Sequence, residues 1–523
     1  MENMAFASHI DILKSTSRLF RTEIALLFIV ATFLLTNYAS SKCQRPLPPG
    51  PRPLFLVKNL HQMPRSYPWR ALQKWHKIYG PIICLRFGQR VVISIGSYKV
   101  AHDILEKRKD IYDSRPRYVV GECLSKGLNT GLISGAQWKT HRRLASNFLS
   151  DRQIRSYRNV QGVESKQLLY DLLGSEDFSG EFRRFNLSII MTLAYGKRVE
   201  SRLNPEIGEL TRHVQNLTAA MAKTTSGLVE AFPILDRLLP RWAAPWKRDT
   251  SFDLTNKFFR ENMQYAQSST PYSWARQISG FKEAQRLSPI ELSFLIGTFV
   301  EGGMETITSV LEFFTVASVL HPDSVGKAQE ELDSVVGQNR LPSFDDTHNL
   351  PYVNAFIKEV LRWRPVLPMG APHSPIENDE YLGYHIPKGA IIIENQWTIN
   401  VDDESFQDSH KFTPERWLQD PDQPLCAFGF GRRTCPGKQI ARNSMFIVIA
   451  RILWAYNISH YYINGKKVPI DPLDTKQTLA AGPSPFKASF SIRSPAHQRI
   501  VELEWESTIT DVNVTMAQSI HLK

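Results

Sequence analysis

Apolar and polar residues alternate between residues 81 and 96, on either side of Gly88 and Gln89. A period of two is typical of strands that bury one face, and a glycine between two such stretches favours a turn. This pattern predicts a β-hairpin over residues 81–96. A second group of short apolar segments predicts further strands between residues 372 and 400.

The longest helical pattern begins at Ser288. Ser288 suits the N-cap, Pro289 suits the first helical position, and Glu291 completes a capping box. Apolar positions then continue with helical spacing to about His321, where Pro322 ends the pattern. We therefore predict one long helix in this part of the chain.

Two shorter helical patterns follow. One extends from about Tyr352 to Trp363 and ends before Pro365. The other begins at Pro436 and places its apolar residues on one face. Because helical patterns far outnumber strand patterns, the predicted fold class is mainly α with a minor β part.

The N-terminal region divides into a short segment (residues 1–23), an apolar run (24–40) and a proline-rich linker (41–53) ahead of a large body (54–523). As a helix the apolar run would span roughly 25 Å, the short end of what a bilayer core of about 30 Å requires. We predict a transmembrane anchor, because a stiff proline-rich spacer follows it. A cleaved signal peptide is the alternative. Basic residues flank both ends, so charge gives little indication of orientation.

Composition and net charge indicate which classes of binding partner the protein could have. The chain has 523 residues, 42% of them hydrophobic, and a formal net charge of +12. The positive charge suits an acidic partner or an anionic membrane. Nucleic acid is not a predicted partner, because the chain has no dense basic run interleaved with aromatic residues and no zinc-finger spacing. Five scattered cysteines argue against a disulfide framework and for a reducing compartment.

The segment 428–437 concentrates candidate chemistry around Cys435. Cys435 precedes Pro436 at the start of a predicted helix, where the helix dipole and free N–H groups stabilise a thiolate. Arg432 and Arg433 add positive charge nearby. Three glycines would let a backbone or a flat ligand approach closely: Gly429, Gly431 and Gly437. An inert buried cysteine in a glycine-rich turn is the alternative.

The spacing in this segment matches F-x-x-G-x-R-x-C-x-G, through Phe428, Gly431, Arg433, Cys435 and Gly437. With this signature the chain resembles the eukaryotic, membrane-bound members of the cytochrome P450 family. The resemblance implies a single large fold in which haem b lies between the long central helix and the cysteine loop. It also implies that Cys435 is the axial thiolate ligand of the iron, and that Arg433 contacts the haem.

Further family motifs occur in the expected order. Trp138 and Arg142 match W-x-x-x-R, and the resemblance implies that they contact a haem propionate. An exposed amphipathic helix is the alternative. His373 follows Pro372 at a position where similar members use His or Arg on a propionate, and an ordinary surface histidine is the alternative there.

Three charged residues match structural motifs of the family. Glu359 and Arg362 form E-x-x-R and can pair on one helix face. Arg416 lies in the segment that matches P-E-R-F. The resemblance implies a buried ion-pair network that braces the cysteine loop, a structural role and not a catalytic one.

Gly302 and Gly303 interrupt the long helical pattern, just before Glu305 and Thr306. Each glycine inside a helix costs about 1 kcal/mol relative to alanine, so a close helix contact is one explanation. The family motif A/G-G-x-D/E-T-T/S offers another, in which the glycines leave room for dioxygen. It makes Glu305 and Thr306 the catalytic pair that relays protons. Ile307 departs from the motif, which has Thr or Ser at that place.

The implied function is a monooxygenase that inserts one oxygen atom from dioxygen into a lipophilic small molecule. The residues of several motifs are most similar to those of filamentous-fungal members that work in secondary-metabolite pathways. Two alternatives keep the haem: an isomerase or dehydratase that acts without dioxygen, and a non-enzymatic haem-binding protein.

The resemblance also implies partners and a location. Electrons would come from NADPH through a separate cytochrome reductase, since the chain has no dinucleotide or flavin fingerprint. Cytochrome b5 is a further candidate partner. Arg432, Lys438 and Arg442 could meet the acidic surface of the reductase. The expected location is the endoplasmic reticulum membrane, with a single span and the body facing the cytosol.

Overall fold

The structure is a computed structural model, and it describes residues 46–212, 224–248, 250–269, 272–476 and 480–521. The anchor predicted at residues 24–40 lies outside the described residues. Residues 46–53, the end of the predicted linker, form neither helix nor regular strand.

The chain divides into two compact units. The described part of the smaller unit contains residues 46–48 and a short hairpin within 378–386. In it the His385 N–H donates to the Pro46 carbonyl over 2.9 Å. The larger unit holds the rest of the described chain, including every predicted site residue.

Helices make up most of the larger unit. In chain order they are α1 (Pro68–Tyr79), α2 (Tyr98–Ala101), α3 (Val119–Ser125), α4 (Gly135–Phe148), α5 (Asp151–Ser156), α6 (Arg158–Leu172), α7 (Phe178–Tyr195), α8 (Thr224–Ala231), α9 (Ile234–Leu238), α10 (Ser251–Ser269), α11 (Trp274–Ile278), α12 (Pro289–Met304), α13 (Thr306–Leu320), α14 (Pro322–Val335), α15 (Pro351–Trp363), α16 (Gln396–Ile399), α17 (Arg416–Gln419), α18 (Lys438–Ala455), α19 (Pro495–Glu506) and α20 (Val512–His521). A π-helical segment, His102–Lys107, follows α2. The mainly α class is confirmed.

The strands are few and short. They are β1 (Ile82–Phe87), β2 (Arg90–Ile95), β3 (Asp379–Tyr381), β4 (Tyr384–Ile386), β5 (Ile391–Glu394), β6 (Tyr456–His460), β7 (Tyr462–Ile463), β8 (Lys466–Lys467) and β9 (Ala488–Ile492). The predicted hairpin is confirmed, because β1 pairs antiparallel with β2 and Phe87 faces Arg90 across the turn. Strand β5 then adds in parallel to β2.

The long helix begins as predicted but is interrupted. Ser288 and Glu291 form the complete capping box, and Pro289 occupies the first turn. The predicted long helix is present over Pro289–Leu320, but one irregular residue, Glu305, divides it into α12 and α13. Of the described residues, only Pro289–Leu320 is long and apolar enough to cross a membrane. Because 78% of its most apolar window is buried, we interpret it as a core helix.

Side-chain hydrogen bonds accompany this interruption, and of these the bonds from Asn186 are particular to it, since hydroxyl bonds like that of Thr306 also occur in regular parts of α12 and α13. The Asn186 side-chain amide donates to the carbonyls of Gly303 (2.7 Å) and Met304 (2.5 Å). The Thr306 hydroxyl donates to the Gly302 carbonyl over 3.2 Å. Hydrogen bonds of this kind offer the backbone an alternative to the regular helical ladder. They therefore favour a break at a point that two glycines already weaken.

Helix α15 carries a buried carboxylate with several donors. Glu359 is fully buried and pairs with Arg362 through Oε1 (2.7 Å) and Oε2 (2.9 Å). It also accepts from Arg416 Nε (3.2 Å) and from Trp417 Nε1 (2.9 Å). Arg362 in turn donates to backbone carbonyls of Asn400, Ser409 and Lys411. The pair therefore fastens the segment between residues 400 and 417 to α15.

Replacing Glu359 with glutamine should destabilise the protein strongly. Two buried guanidinium groups would lose their anion, and breaking such a network costs about 3–5 kcal/mol. We expect a clearly lower midpoint of thermal unfolding in Glu359→Gln. In the control, Lys327→Met, the midpoint should change little, because the Lys327–Glu415 pair lies at the surface. Equal losses in both variants would contradict the structural role of Glu359.

Candidate active site

The cysteine loop has a left-handed backbone, which favours glycine, at two points. Gly429 and Gly431 have φ angles of +71° and +59°. A Cβ on Gly431 would also collide with the Leu105 carbonyl, so the loop packs directly against the π-helical segment. Cys435 is held by its N–H, which donates to the Phe428 carbonyl over 2.9 Å. The loop therefore fixes the position of the Cys435 thiol.

Helix α18 begins later than predicted, at Lys438 instead of Pro436, with Gly437 as its N-cap. Cys435 consequently lies ahead of the helix and not in its first turn. Burial raises the pKa of the Cys435 thiol, although the Gly437 backbone, Arg142 and Lys438 lower it. These local groups therefore favour a thiolate, and burial opposes it. Protein atoms crowd the sulfur, but Cys435 as a residue keeps solvent-accessible surface, so a cation could reach Sγ and add positive charge.

A group of arginines lies near this thiol. The Arg433 guanidinium lies 3.8 Å from the centre of the Trp138 ring. It donates to the carbonyls of Asp113 (2.6 Å) and Ile133 (2.9 Å). Burial, reinforced by the nearby arginines Arg115 and Arg142, lowers the pKa of Arg433 to about 9. Helix α4 thus brings the W-x-x-x-R motif to the cysteine loop.

Arg115 belongs to the same cluster, and the sequence reasoning missed it. Its guanidinium donates to the carbonyls of Ala371 and Pro372, each over 2.7 Å. Burial lowers its pKa, which the Glu394 charge partly offsets. No local spacing could reveal this residue, because its partners lie more than 250 positions away in the sequence.

His373 is buried, with 3% of its surface exposed, so the alternative of a surface histidine is wrong. Its Nδ1 lies 2.9 Å from the Tyr112 carbonyl, which can only accept, so we assign the proton to Nδ1. Burial and Arg115 lower the pKa of His373 to about 3. In the neutral ring Nε2 then carries no proton. Nε2 could donate to a carboxylate only if the negative charge of that carboxylate raised the pKa of His373 enough to protonate the ring.

The two glycines of the distal motif have different surroundings. A Cβ on Gly303 would lie 3.1 Å from Ile190, so close packing explains this glycine. A Cβ on Gly302 would meet no atom within 4 Å, and Gly302 is exposed. The packing explanation therefore holds for Gly303 only. Gly302 borders open space on the surface of the central helix.

Glu305 and Thr306 lie at the junction of α12 and α13. Burial raises the pKa of the Glu305 carboxyl, while the charges of Arg183 and Lys476 lower it. The Thr306 hydroxyl is partly accessible and donates to the Gly302 carbonyl. Glu305 therefore provides a carboxyl that can exchange its proton, and Thr306 provides a hydroxyl beside the open space at Gly302.

These residues suit a haem. Arg115 and Arg433 donate to backbone carbonyls, which do not cancel their charge, and Arg142 lies close enough to raise the charge density further. Cations of this kind suit the two carboxylates of a haem edge. The exposed Cys435 thiol supplies a soft ligand for iron.

The comparisons agree on the family. A family model described as Cytochrome P450 matches residues 48–490. The chain is 41% identical to Cytochrome P450 monooxygenase FrzL of Cladobotryum sp, over 94% of this chain and 96% of that protein. It is 42% identical to Cytochrome P450 monooxygenase peniB of Penicillium patulum, over 88% of each chain. It is also 42% identical to Cytochrome P450 monooxygenase aneD of Aspergillus aculeatus, over 91% of this chain and 94% of that protein.

All three relatives are fungal proteins, as the wording of the motifs predicted, and their names place them in one class of oxidoreductase. The matched residues contain the cysteine loop, the basic cluster around Arg433 and the Glu305–Thr306 junction. The chain therefore belongs to the cytochrome P450 family and is an oxidoreductase of its monooxygenase class.

Proposed function

We propose that the protein inserts one oxygen atom from dioxygen into a lipophilic small molecule of fungal secondary metabolism. The observation that carries this proposal is the exposed thiol of Cys435, fixed by its loop next to a buried cluster of cations. The monooxygenase names of the relatives support it.

In this proposal Cys435 would bind the haem iron as a thiolate. Trp138, Arg142, His373 and Arg433, together with Arg115, would hold the haem carboxylates. When bound, the haem supplies the binding and reductive activation of dioxygen. The open space at Gly302 would leave room for dioxygen and substrate.

Protons are needed because the second oxygen atom leaves as water. Thr306 Oγ1 holds a proton beside Gly302. Glu305 can resupply that proton, since burial raises the pKa of its carboxyl towards the working range of a general acid. Arg183 and Lys476, whose charges act on Glu305, help to return it to its ionised form.

Electrons would come from NADPH through a separate cytochrome reductase, with cytochrome b5 as a further candidate donor. Arg432 precedes Cys435 in sequence, and Lys438 and Arg442 follow it. Arg432 and Arg442 are exposed. Arg432 is partly neutralised by its ion pair with Asp113 at 3.4 Å. Lys438 and Arg442 are therefore the stronger candidates for contact with an acidic reductase.

We further propose that residues 24–40 anchor the protein in the endoplasmic reticulum membrane. The apolar run and the proline-rich linker support this location. The body would then face the cytosol, where the reductase supplies electrons.

Labelled dioxygen tests the proposed reaction. Deletion of the gene in its native host should cause a precursor to accumulate. The full-length haem-loaded enzyme, with reductase and NADPH under oxygen-18 gas, should convert that precursor into a product that carries one labelled atom. The matched reaction without NADPH should give no product. A product that forms without NADPH, or that contains no label, would identify an isomerase or dehydratase instead.

Replacing Thr306 with valine should separate electron consumption from product formation. The variant keeps the side-chain shape but loses the hydroxyl proton, so NADPH oxidation should yield hydrogen peroxide. We expect product per NADPH to fall by about tenfold or more, with peroxide rising to match. The control is Thr308→Val, whose hydroxyl donates to the Met304 carbonyl and is buried. Normal coupling in Thr306→Val would rule out the proposed role of Thr306.

A further inference from the structure

Glu301 is an acidic residue of α12 that neither the sequence motifs nor the proposed mechanism uses. It directly precedes Gly302 and lies one helical turn before Glu305. Its carboxylate is partly buried, and Oε2 accepts a hydrogen bond from Asn129 Nδ2 over 3.2 Å. Because residues four apart share a helix face, Glu301 and Glu305 lie on neighbouring parts of the same surface.

The loop that carries Asn129 connects this surface to the cysteine loop. Thr130, the next residue, donates its N–H to Thr298 Oγ1 over 3.4 Å, one turn before Glu301. Further along, the Ile133 carbonyl accepts from Arg433 over 2.9 Å. Glu301 is therefore placed between the central helix and a loop that reaches the basic cluster beside Cys435.

Unlike most buried acids in the described part of the chain, Glu301 forms no ion pair. Burial alone raises the pKa of its carboxyl to about 7. Among the described residues, no lysine, arginine or histidine forms an ion pair with it. Several other buried carboxylates do form ion pairs: Glu164 with Arg184 and Arg198, Glu312 with Lys476, and Glu359 with Arg362 and Arg416. Glu394, which is 1% exposed, forms no ion pair with a described residue.

A partly buried carboxylate with one amide partner is costly unless another donor joins it. The second oxygen, Oε1, has no hydrogen-bond partner among the described residues, and it is not sealed from solvent. Gly302 beside it borders open space. A ligand in that space could therefore donate to Oε1.

We propose that Glu301 is a specificity-determining residue that accepts a hydrogen bond from a donor group on an otherwise lipophilic substrate. The donor is a protonated amine or a hydroxyl, since both place a polar hydrogen on a carboxylate. This inference rests on the proposed function, because it assumes that the substrate occupies the space beside Gly302.

Matched imidazole ligands test the inference without knowledge of the natural substrate. In 1-(3-aminopropyl)imidazole, 1-(3-hydroxypropyl)imidazole and 1-butylimidazole, the ring binds iron and the chain ends in an ammonium, a hydroxyl or a methyl group. Homologues with shorter and longer chains cover different distances to Glu301. Dissociation constants come from the optical shift of the full-length haem-loaded protein.

The wild-type protein should prefer a donor-terminated ligand over its methyl counterpart at the chain length that reaches Glu301. In Glu301→Gln this preference should fall by about tenfold, because a charge-assisted hydrogen bond becomes a neutral one. The control, Glu330→Gln, removes the same charge from an exposed residue and should leave the preference unchanged.

The outcomes show which donor group Glu301 recognises. A loss confined to the amine ligand would indicate a substrate with a basic nitrogen, and a loss with both donors would indicate a hydroxyl as well. Equal affinities in the wild-type protein, or a preference that survives in Glu301→Gln, would overturn the inference. A protein that binds no haem through a thiolate would instead refute the proposed function, which the spectrum of the reduced carbon monoxide complex reports separately.

Discussion

Burial raises the pKa of the Cys435 thiol, whereas the backbone at Gly437 and the charges of Arg142 and Lys438 lower it. A thiolate at this position would therefore be stabilised further by a cation at Sγ, which an iron ion would provide. Much of the surrounding structure serves this requirement. The left-handed glycines set the path of the loop, and the N–H of Cys435 holds the thiol to the Phe428 carbonyl.

The basic cluster and the central helix lie around this thiol for different physical reasons. Arg115 and Arg433 are held by backbone carbonyls, so their geometry is fixed while their charge remains available to an anionic ligand. The central helix is opened where Asn186 and Thr306 take the carbonyls of three successive residues, Gly302, Gly303 and Met304. That break places Glu305 and Thr306 at a helix junction instead of inside a regular turn.

Local patterns predicted the features that depend on neighbouring residues. The hairpin, the capping box at Ser288 and the Glu359–Arg362 pair all arise from spacings of a few positions. The features that the sequence did not reveal depend on distant segments. Asn186 interrupts the central helix from α7, and Arg115 reaches carbonyls at Ala371 and Pro372. The absence of an ion pair at Glu301 among the described residues could not be predicted either, because a sequence does not show which charged side chains lack an oppositely charged neighbour in the fold.

The central claim is that Cys435 holds the haem iron as a thiolate, and the spectrum of the reduced protein with carbon monoxide tests it most directly. The full-length wild-type protein should show the strongly red-shifted Soret band that thiolate ligation produces. Cys435→Ser should lose that band, while a matched change at the buried Cys426, Cys426→Ser, should keep it. A red-shifted band that persists in Cys435→Ser, or that is missing from the haem-loaded wild-type protein, would contradict the account.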